Sequence, residues 1–356
     1  MTKLLHDILR EPAELAGILS RFSESRWEGI LAAAGLVRSA SLIYVVGIGS
    51  SWNAGWAVTA LLQKYGFAAH PADASELLHF GTLAAGAVAI VLSRSGRSVE
   101  IVRLASRFAE AGVPVVAITN TADTPLTRAA RVVLQMGARF DHLVSVTMYS
   151  GLALTGGLVA SAAARADLDG LALELQDGLA RAEAELEGWR KQLAESVWLD
   201  PTAATYFLAR GGTLASACEA RLLWEEAAKR PACAIGTGTF RHGTQEMVFP
   251  GTRIGMWIDP LRLRCEDLML AGNLAGAGAQ VLLIGRDLPA HAAHLAFEVP
   301  RLPADWEFLT GTIPAQLAAE RLAALGGVDC DAFRLCPYII DSEGGLAPGK
   351  TEAGGF

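Results

Sequence analysis

The chain has 356 residues, 52% of them hydrophobic, and its 37 acidic against 30 basic residues give a formal net charge of −7. That length and apolar content suit one large or two ordinary domains with a substantial core. The negative balance argues against nucleic acid as a partner, since a duplex binder presents a basic face. No apolar run is long enough to cross a bilayer without a charge or a break.

In chain order, residues 1–40 read as helical, with Pro12 where a helix can begin and Leu15, Ile18, Leu19 and Phe22 at helical spacing. A second helix is expected over 30–37. Residues 42–46 form a short apolar, partly β-branched run ending in glycine, the pattern of a buried strand. A helix follows over 53–65, then a short strand at 68–70 and a helical turn at 75–80. Strand 87–92 leads to helix 99–110, which Gly112 breaks. Strand 113–119, short helix 124–130 and strand 131–134 come next, then an apolar helix over 147–164. Strands alternating with helices imply a parallel sheet covered on both faces, a doubly wound α/β domain.

Residues 168–196 are amphipathic and charged on one side, and read as a helical linker. The pattern then restarts. Strands are expected at 204–208, 232–235, 253–258, 281–284 and 295–299, and helices at 214–229, 268–277 and 312–325. The glycine-containing tail after Asp341 has few apolar residues, and a mobile segment is expected there. The expected layout is therefore a helical segment 1–40, a first domain 41–167, a linker 168–197, a second domain 198–340 and a tail 341–356. Both halves open with a strand, a glycine turn and a helix, the mark of a duplicated fold.

The first strand runs into Gly47-Ile-Gly49-Ser50-Ser51. A dinucleotide fingerprint needs a third glycine where Trp52 stands. No Gly-Lys-Ser/Thr follows a glycine-rich turn, so a P-loop is excluded too. A second turn, Ser93-Arg94-Ser95-Gly96-Arg97-Ser98, follows strand 87–92. Hydroxyls at the carboxyl ends of two strands, beside the starts of two helices, suit a small anion. The alternative is that these serines only cap helices; Ser98 before Val99 is well placed for that. Glu219, Glu225 and Glu226 lie on helix 214–229, and His242 lies in a turn after a strand. Spacing alone marks none of them as catalytic. The five cysteines are scattered, with no CxxC pair, and no His/Asp/Glu cluster has metal spacing, so no metal and no cofactor are expected. Lacking a basic-then-apolar-then-small leader, the N-terminus does not read as a signal peptide, and a reduced, cytoplasmic protein is expected.

Several stretches together resemble the SIS (sugar isomerase) family. Gly49-Ser-Ser-Trp-Asn-Ala-Gly55, Leu92-Ser-Arg-Ser-Gly-Arg-Ser98 and Asp141-His-Leu-Val-Ser-Val-Thr147 resemble its three sugar-phosphate motifs. They are most similar to those in the isomerase half of glucosamine-fructose-6-phosphate aminotransferase. Phe207-Leu-Ala-Arg-Gly211, the helix glutamates Glu219 and Glu226, and Arg241-His-Gly243 resemble its second half, so the likeness covers about residues 42–335. It implies two tandem SIS domains, each a doubly wound parallel sheet, and a homodimer whose site is shared between subunits. By this resemblance, Gly49, Ser50, Ser51, Ser93, Arg94, Ser95 and Ser98 hold the acidic group of a sugar phosphate. Val144, Ser145 and Thr147 line the same pocket, Glu226 moves a proton between C1 and C2, and His242 assists ring opening.

The departures from the family pattern shape the expected chemistry. No glutaminase domain precedes the first motif, so glutamine-dependent ammonia transfer is not expected. The family's lysine near its carboxyl end falls at about Pro337, and Leu223 stands where another lysine precedes the second glutamate. Arg94 and Arg97 replace a glutamine and a glutamate. The expectation is an aldose–ketose isomerase or amino-sugar-phosphate deaminase acting on a glucosamine-6-phosphate-like substrate. The alternatives are a fructosamine-6-phosphate deglycase, an isomerase of another anionic sugar such as a sulfosugar, and a non-catalytic sugar-phosphate sensor.

Overall fold

The computed structural model describes residues 1–290 and 293–346. The chain divides into two compact units. One holds Ala13–Gln176 together with the segment from Ala332 onward; the other holds Met1–Pro12 and Asp177–Asp331.

The first-half unit contains most of α1 (Lys3–Glu24), then α2 (Glu28–Ser39), β1 (Leu42–Gly47), α3 (Ser50–Lys64), β2 (Ala69–Asp73), α4 (Ala74–His79) and β3 (Ala87–Leu92). It continues through α5 (Val99–Glu110), β4 (Val115–Thr119), α6 (Pro125–Ala129), β5 (Val132–Gln135) and α7 (Thr147–Ala163) to the start of α8 (Leu168–Glu195). The five strands are parallel, in the order β2-β1-β3-β4-β5. Successive side chains of a strand face opposite ways, so each face of this sheet needs its own cover. Tyr44, Val46, Ala89 and Val91 pack with Ile101, Leu104 and Phe108 of α5. On the strands, Val45 and Leu92 approach Gly55 of α3. Helix α7 is buried along its whole length and packs against α2 and α3. A side chain at Gly156 would sit 2.4 Å from Val58, so that approach depends on glycine.

The second-half unit takes the rest of α8, then β6 (Thr205–Ala209), a 3-10 turn at Gly211–Thr213, α9 (Leu214–Glu226), β7 (Ala232–Gly236), α10 (Thr237–Phe240) and β8 (Arg253–Trp257). After these come α11 (Arg264–Gly276), β9 (Gln280–Gly285), β10 (Leu295–Glu298), α12 (Phe308–Gly311) and α13 (Ile313–Leu325). The order β10-β9-β8-β6-β7, again all parallel, is the first sheet's order with β6 in the place of β1. One face packs Leu208, Ile254, Met256 and Leu283 against Ala271 and Leu274 of α11. On the other, the Phe207 ring meets Trp224 of α9 at 4.8 Å and Trp257 at 6.0 Å. Gly255 makes room for that cluster, because a Cβ there would lie 2.8 Å from the Phe207 ring. Two parallel doubly wound sheets with helices bear out the expected fold class.

Two local expectations fail for physical reasons. Pro12 lies inside α1, not at its start. The missing N–H costs the Ile8 carbonyl its partner. The buried stripe Leu4, Leu5, Ile8, Leu15, Ile18, Leu19 and Phe22 nonetheless keeps the chain helical on both sides. Helix α9 stops at Glu226, short of the expected 229. Lys229 adopts a left-handed φ of 55°, and the Arg230 N–H turns back to the Trp224 carbonyl at 2.9 Å, as in a helix-closing turn. No described helix is long and apolar enough to cross a membrane.

Candidate active site

In the order β2-β1-β3, the connections leave β1 and β3 on opposite sides, so a crevice opens at their carboxyl ends. Both hydroxyl-rich turns empty into that place. Gly47 ends β1, and a Cβ on it would lie 2.5 Å from the Ser51 backbone, so the strand end and the start of α3 touch. Gly49 then takes φ +58° as the N-cap. Having no side chain, it supplies no side-chain cap to the first turn of α3. Ser50 and Ser51 are the first two residues of that helix and are half-buried.

The turn after β3 is fastened at several points. Ser93 and Ser95 are 4% and 9% exposed. Their hydroxyls accept the N–H groups of Gly96 (3.1 Å) and Arg97 (3.3 Å). The Arg94 carbonyl receives the Asn120 N–H and the hydroxyls of Thr119 and Thr121, at 3.2, 3.2 and 3.1 Å. Gly96 has φ +61°, and a Cβ there would meet the Thr124 hydroxyl at 2.4 Å. Ser98 occupies the N-cap of α5 but makes no side-chain cap bond. The capping alternative therefore fails for Ser98, whose hydroxyl stays available at a helix start.

The third motif is built on Asp141. Its carboxylate, 2% exposed, accepts the N–H groups of Val146, Thr147 and Met148 at 2.8, 3.2 and 2.9 Å and so caps α7. That cap fixes Val144 and Ser145 just ahead of the helix. The Thr147 hydroxyl is buried with no partner among the described residues.

Sequence reasoning missed the contribution of residues 332–346. The Arg94 guanidinium lies over the Tyr338 ring, 4.0 Å from its centroid, and donates to the Tyr338 carbonyl at 3.1 Å. The Tyr338 hydroxyl contacts the Asp141 carbonyl at 3.5 Å, which links the second and third motifs. The Val99 N–H at the start of α5 bonds the Ile340 carbonyl at 3.1 Å. Glu343 pairs with His79 (3.1 Å) and with Arg103. The hydrogen bond from His79 is the largest of the effects holding its carboxyl below the usual range. Arg94 is thus tied to the tail, while Arg97 is exposed. Nothing local announces Tyr338, which stands 244 residues from Arg94.

Glu226 and His242 belong to the second-half unit. Of the three glutamates on α9, Glu219 is fully buried and Glu225 is paired with Arg221 at 2.5 Å. Glu226 is half-buried at the helix end, and Lys229 donates to its backbone carbonyl. His242 is exposed in the turn after α10, its N–H bonded to the Thr239 carbonyl at 2.9 Å. Cys218, on the same helix, is no ready nucleophile, because burial pushes its thiol up to about 11.

Residues 36–164 match the family model described as SIS domain. The chain is 28% identical over 344 residues to a glutamine–fructose-6-phosphate aminotransferase [isomerizing] of Pyrobaculum aerophilum, covering 93% of this chain and 56% of the relative. To the like-named protein of Streptococcus pyogenes it is 23% identical, with 93% and 57% covered. The chain therefore spans about half the length of these curated relatives. Among solved structures, the C-terminal domain of glucosamine-fructose-6-phosphate aminotransferase from Francisella tularensis superposes with a TM-score of 0.80 at 19% identity, covering 93% of this chain and 97% of that one. Tagatose-6-phosphate ketose/aldose isomerase from Escherichia coli gives 0.81 at 18% (93% and 96%). Glucosamine-6-phosphate deaminase from Thermotoga maritima gives 0.77 at 18% (93% and 97%). At these identities the likeness to solved structures is one of fold.

Proposed function

Because the chain carries a SIS domain in its first half and repeats that architecture in its second, we propose that it is an enzyme of anionic sugars. It interconverts the aldose and ketose forms of a sugar phosphate, a 6-phosphate by preference, with or without release of an amine. The observation that carries this reading is the pair of helix starts at one crevice. There α3 has a glycine N-cap and α5 has a serine N-cap whose hydroxyl makes no cap bond. A helix start with a glycine N-cap and a hydroxyl that makes no cap bond suit a phosphate. The names of the similar proteins, a fructose-6-phosphate aminotransferase, a glucosamine-6-phosphate deaminase and a tagatose-6-phosphate ketose/aldose isomerase, share a sugar 6-phosphate and differ in the reaction.

In the proposed reaction Glu226 removes the proton from the carbon beside the carbonyl, leaving an enediolate; the carbonyl oxygen takes up a proton from an acid group or water, the neighbouring hydroxyl gives one up, and Glu226 returns its proton to the neighbouring carbon. One carboxylate reaching both carbons serves the carbon-to-carbon transfer, and a proton donor at the oxygen serves the other. His242 of one subunit helps to open the sugar ring in the site of the other. Glu226 is given the base role because it stands where the resembled family has its base; on the same helix Glu225 pairs with Arg221 and Glu219 is fully buried. The test is a panel of 6-phosphate aldoses, ketoses and amino sugars plus a sulfosugar, followed by NMR with an ammonia assay. Glu226→Gln is expected to lower turnover by about a hundredfold or more. Turnover that survives within about tenfold removes Glu226 from the role.

A further inference from the structure

The repeated sheet order gives the second-half unit a switch point of its own, between β6 and β8. A cleft of about 210 Å³ lies there, lined by Arg210–Thr213 after β6, by Asp259, Pro260, Arg262 and Leu263 after β8, and by Asp305 and Glu307. A smaller recess shares Thr213, Pro260 and Glu307 with it and reaches Arg286 after β9. The serine turns of the first half contribute nothing to either. The cleft is small beside the roughly 300–1,000 Å³ of typical ligand pockets, so it suits a small metabolite and not a nucleotide.

Its walls are built polar. Gly211, at φ +52°, turns the chain into α9, and no side chain caps that start. Arg210 is held by Asp267, itself fully buried, through Nε to Oδ1 at 2.7 Å. The other Asp267 oxygen takes the Asp259 N–H at 3.1 Å, so the turns after β6 and β8 are braced together. Asp259 Oδ2 accepts the N–H groups of Arg262 and Leu263 at 2.7 and 2.6 Å. Arg286 is 8% exposed and bonds Glu307 at 3.3 Å, yet its Nε is buried without a partner among the described residues. Burial, its largest influence, holds the Glu307 carboxyl above the usual range. That donor faces the smaller recess and not the cleft, and the recess has room for about one water to complete it.

The lining also says what kind of molecule fits. Helix-start N–H groups and the arginines favour an anionic group. The carboxylates of Asp259, Asp305 and Glu307 repel a second one and accept from hydroxyls. We propose that this cleft is a second ligand site, one that takes a small hydroxylated anion of the sugar-phosphate or sugar-acid class. The proposal does not depend on the reaction assigned to Glu226.

Titration calorimetry on the full chain tests it, with glucose 6-phosphate, gluconate, inorganic phosphate and glycine as probes. Two variant proteins separate the sites: Ser51→Ala with Ser98→Ala for the first half, and Asp259→Asn with Arg262→Ala for the second. Arg262 is 61% exposed in its pair with Asp305, so its loss is compatible with folding. Two binding events per chain are expected for glucose 6-phosphate or gluconate. One of them should persist in the serine variant and weaken about tenfold or more in the Asp259/Arg262 variant. A single event that disappears with the serines and ignores the other pair overturns the site. Absence of binding by every probe at millimolar concentration overturns it too. Binding of phosphate alone or glycine as tight as that of glucose 6-phosphate overturns the assigned class.

Discussion

Ser98 sits at a helix start without doing the usual work of a cap, and that separates stability from binding at one residue. Losing a working cap costs about 0.5–2 kcal/mol. Ser98→Ala is expected to stay within about 0.5 kcal/mol of the parent in chemical unfolding, while affinity for a sugar phosphate falls about tenfold. Asp73, at the N-cap of α4, accepts the N–H groups of Ser75 and Glu76 at 2.9 and 3.1 Å. Asp73→Ala should show the opposite signature, a loss of about 1 kcal/mol of stability. Gly47 offers a harsher case. Its missing Cβ is all that separates β1 from the Ser51 backbone, so Gly47→Ala must shift the helix start, and both stability and anion affinity should fall. Hydroxyl-rich turns were legible in the sequence because serine at a strand end carries both its chemistry and its position. Which hydroxyls already accept a backbone N–H, as on Ser93 and Ser95, and which make no cap bond, as on Ser98, depends on backbone angles that no spacing states.

At the scale of elements, α7 illustrates how one buried carboxylate can hold a motif in place. Asp141→Ala removes the acceptor of three N–H bonds at the helix start. Leaving such donors buried should cost about 2–3 kcal/mol, read from urea unfolding. Asp141→Asn, which keeps one oxygen, should cost less. The strands and long helices could be read from the sequence because β1, β3 and β4 are apolar on both faces and α7 is apolar all round. The four-residue helices α10 and α12 could not, since a single turn is too short to show a period. Pro12 misled for a related reason. Proline is a strong local signal, but the buried stripe on both sides of it decides the helix.

Residues 332–346 add a pH-dependent element. Glu343 has its carboxyl held below the usual range, so the stability it lends the tail is present above the unfolded-state value. That contribution is lost as pH falls through the lowered one. Hydrogen exchange at the Val99 N–H, bonded to the Ile340 carbonyl, should therefore quicken relative to the rest of α5 on acidification. An unchanged ratio would show that Arg103 and His79 do not hold the segment.

On the scale of the whole molecule, the proposed sharing of His242 between subunits makes a dimer necessary for turnover. The loop that carries His242 continues into Met247 and Phe249, which are 53% and 62% exposed in the single chain. Burying side chains of that size is worth roughly 1.5–3 kcal/mol each. Met247→Glu with Phe249→Glu is expected to give monomers in sedimentation, with turnover lost and anion binding at the serine turns kept. A dimer of undiminished activity would remove this loop from the interface. The sequence supplied the duplicated architecture, because each half repeats a strand, a glycine turn and a helix. It could not supply the grouping of residues into units. Tyr338 over Arg94 joins positions that are distant in sequence, and linear patterns carry no record of such pairs.

That grouping has a consequence for how the protein comes into being. Synthesis runs from the amino end, so the serine turns and Arg94 are made early, while Tyr338 is added 244 residues after Arg94, with Ile340 and Glu343 close behind. The first-half unit counts those late residues among its own. Until they arrive, Arg94 has no ring beneath it and the Val99 N–H has no carbonyl to bond. A nascent chain halted anywhere before residue 332 would therefore carry all of the anion-binding hydroxyls in an unfinished setting, and the earliest part of the site becomes complete only once Tyr338 and Ile340 have been made.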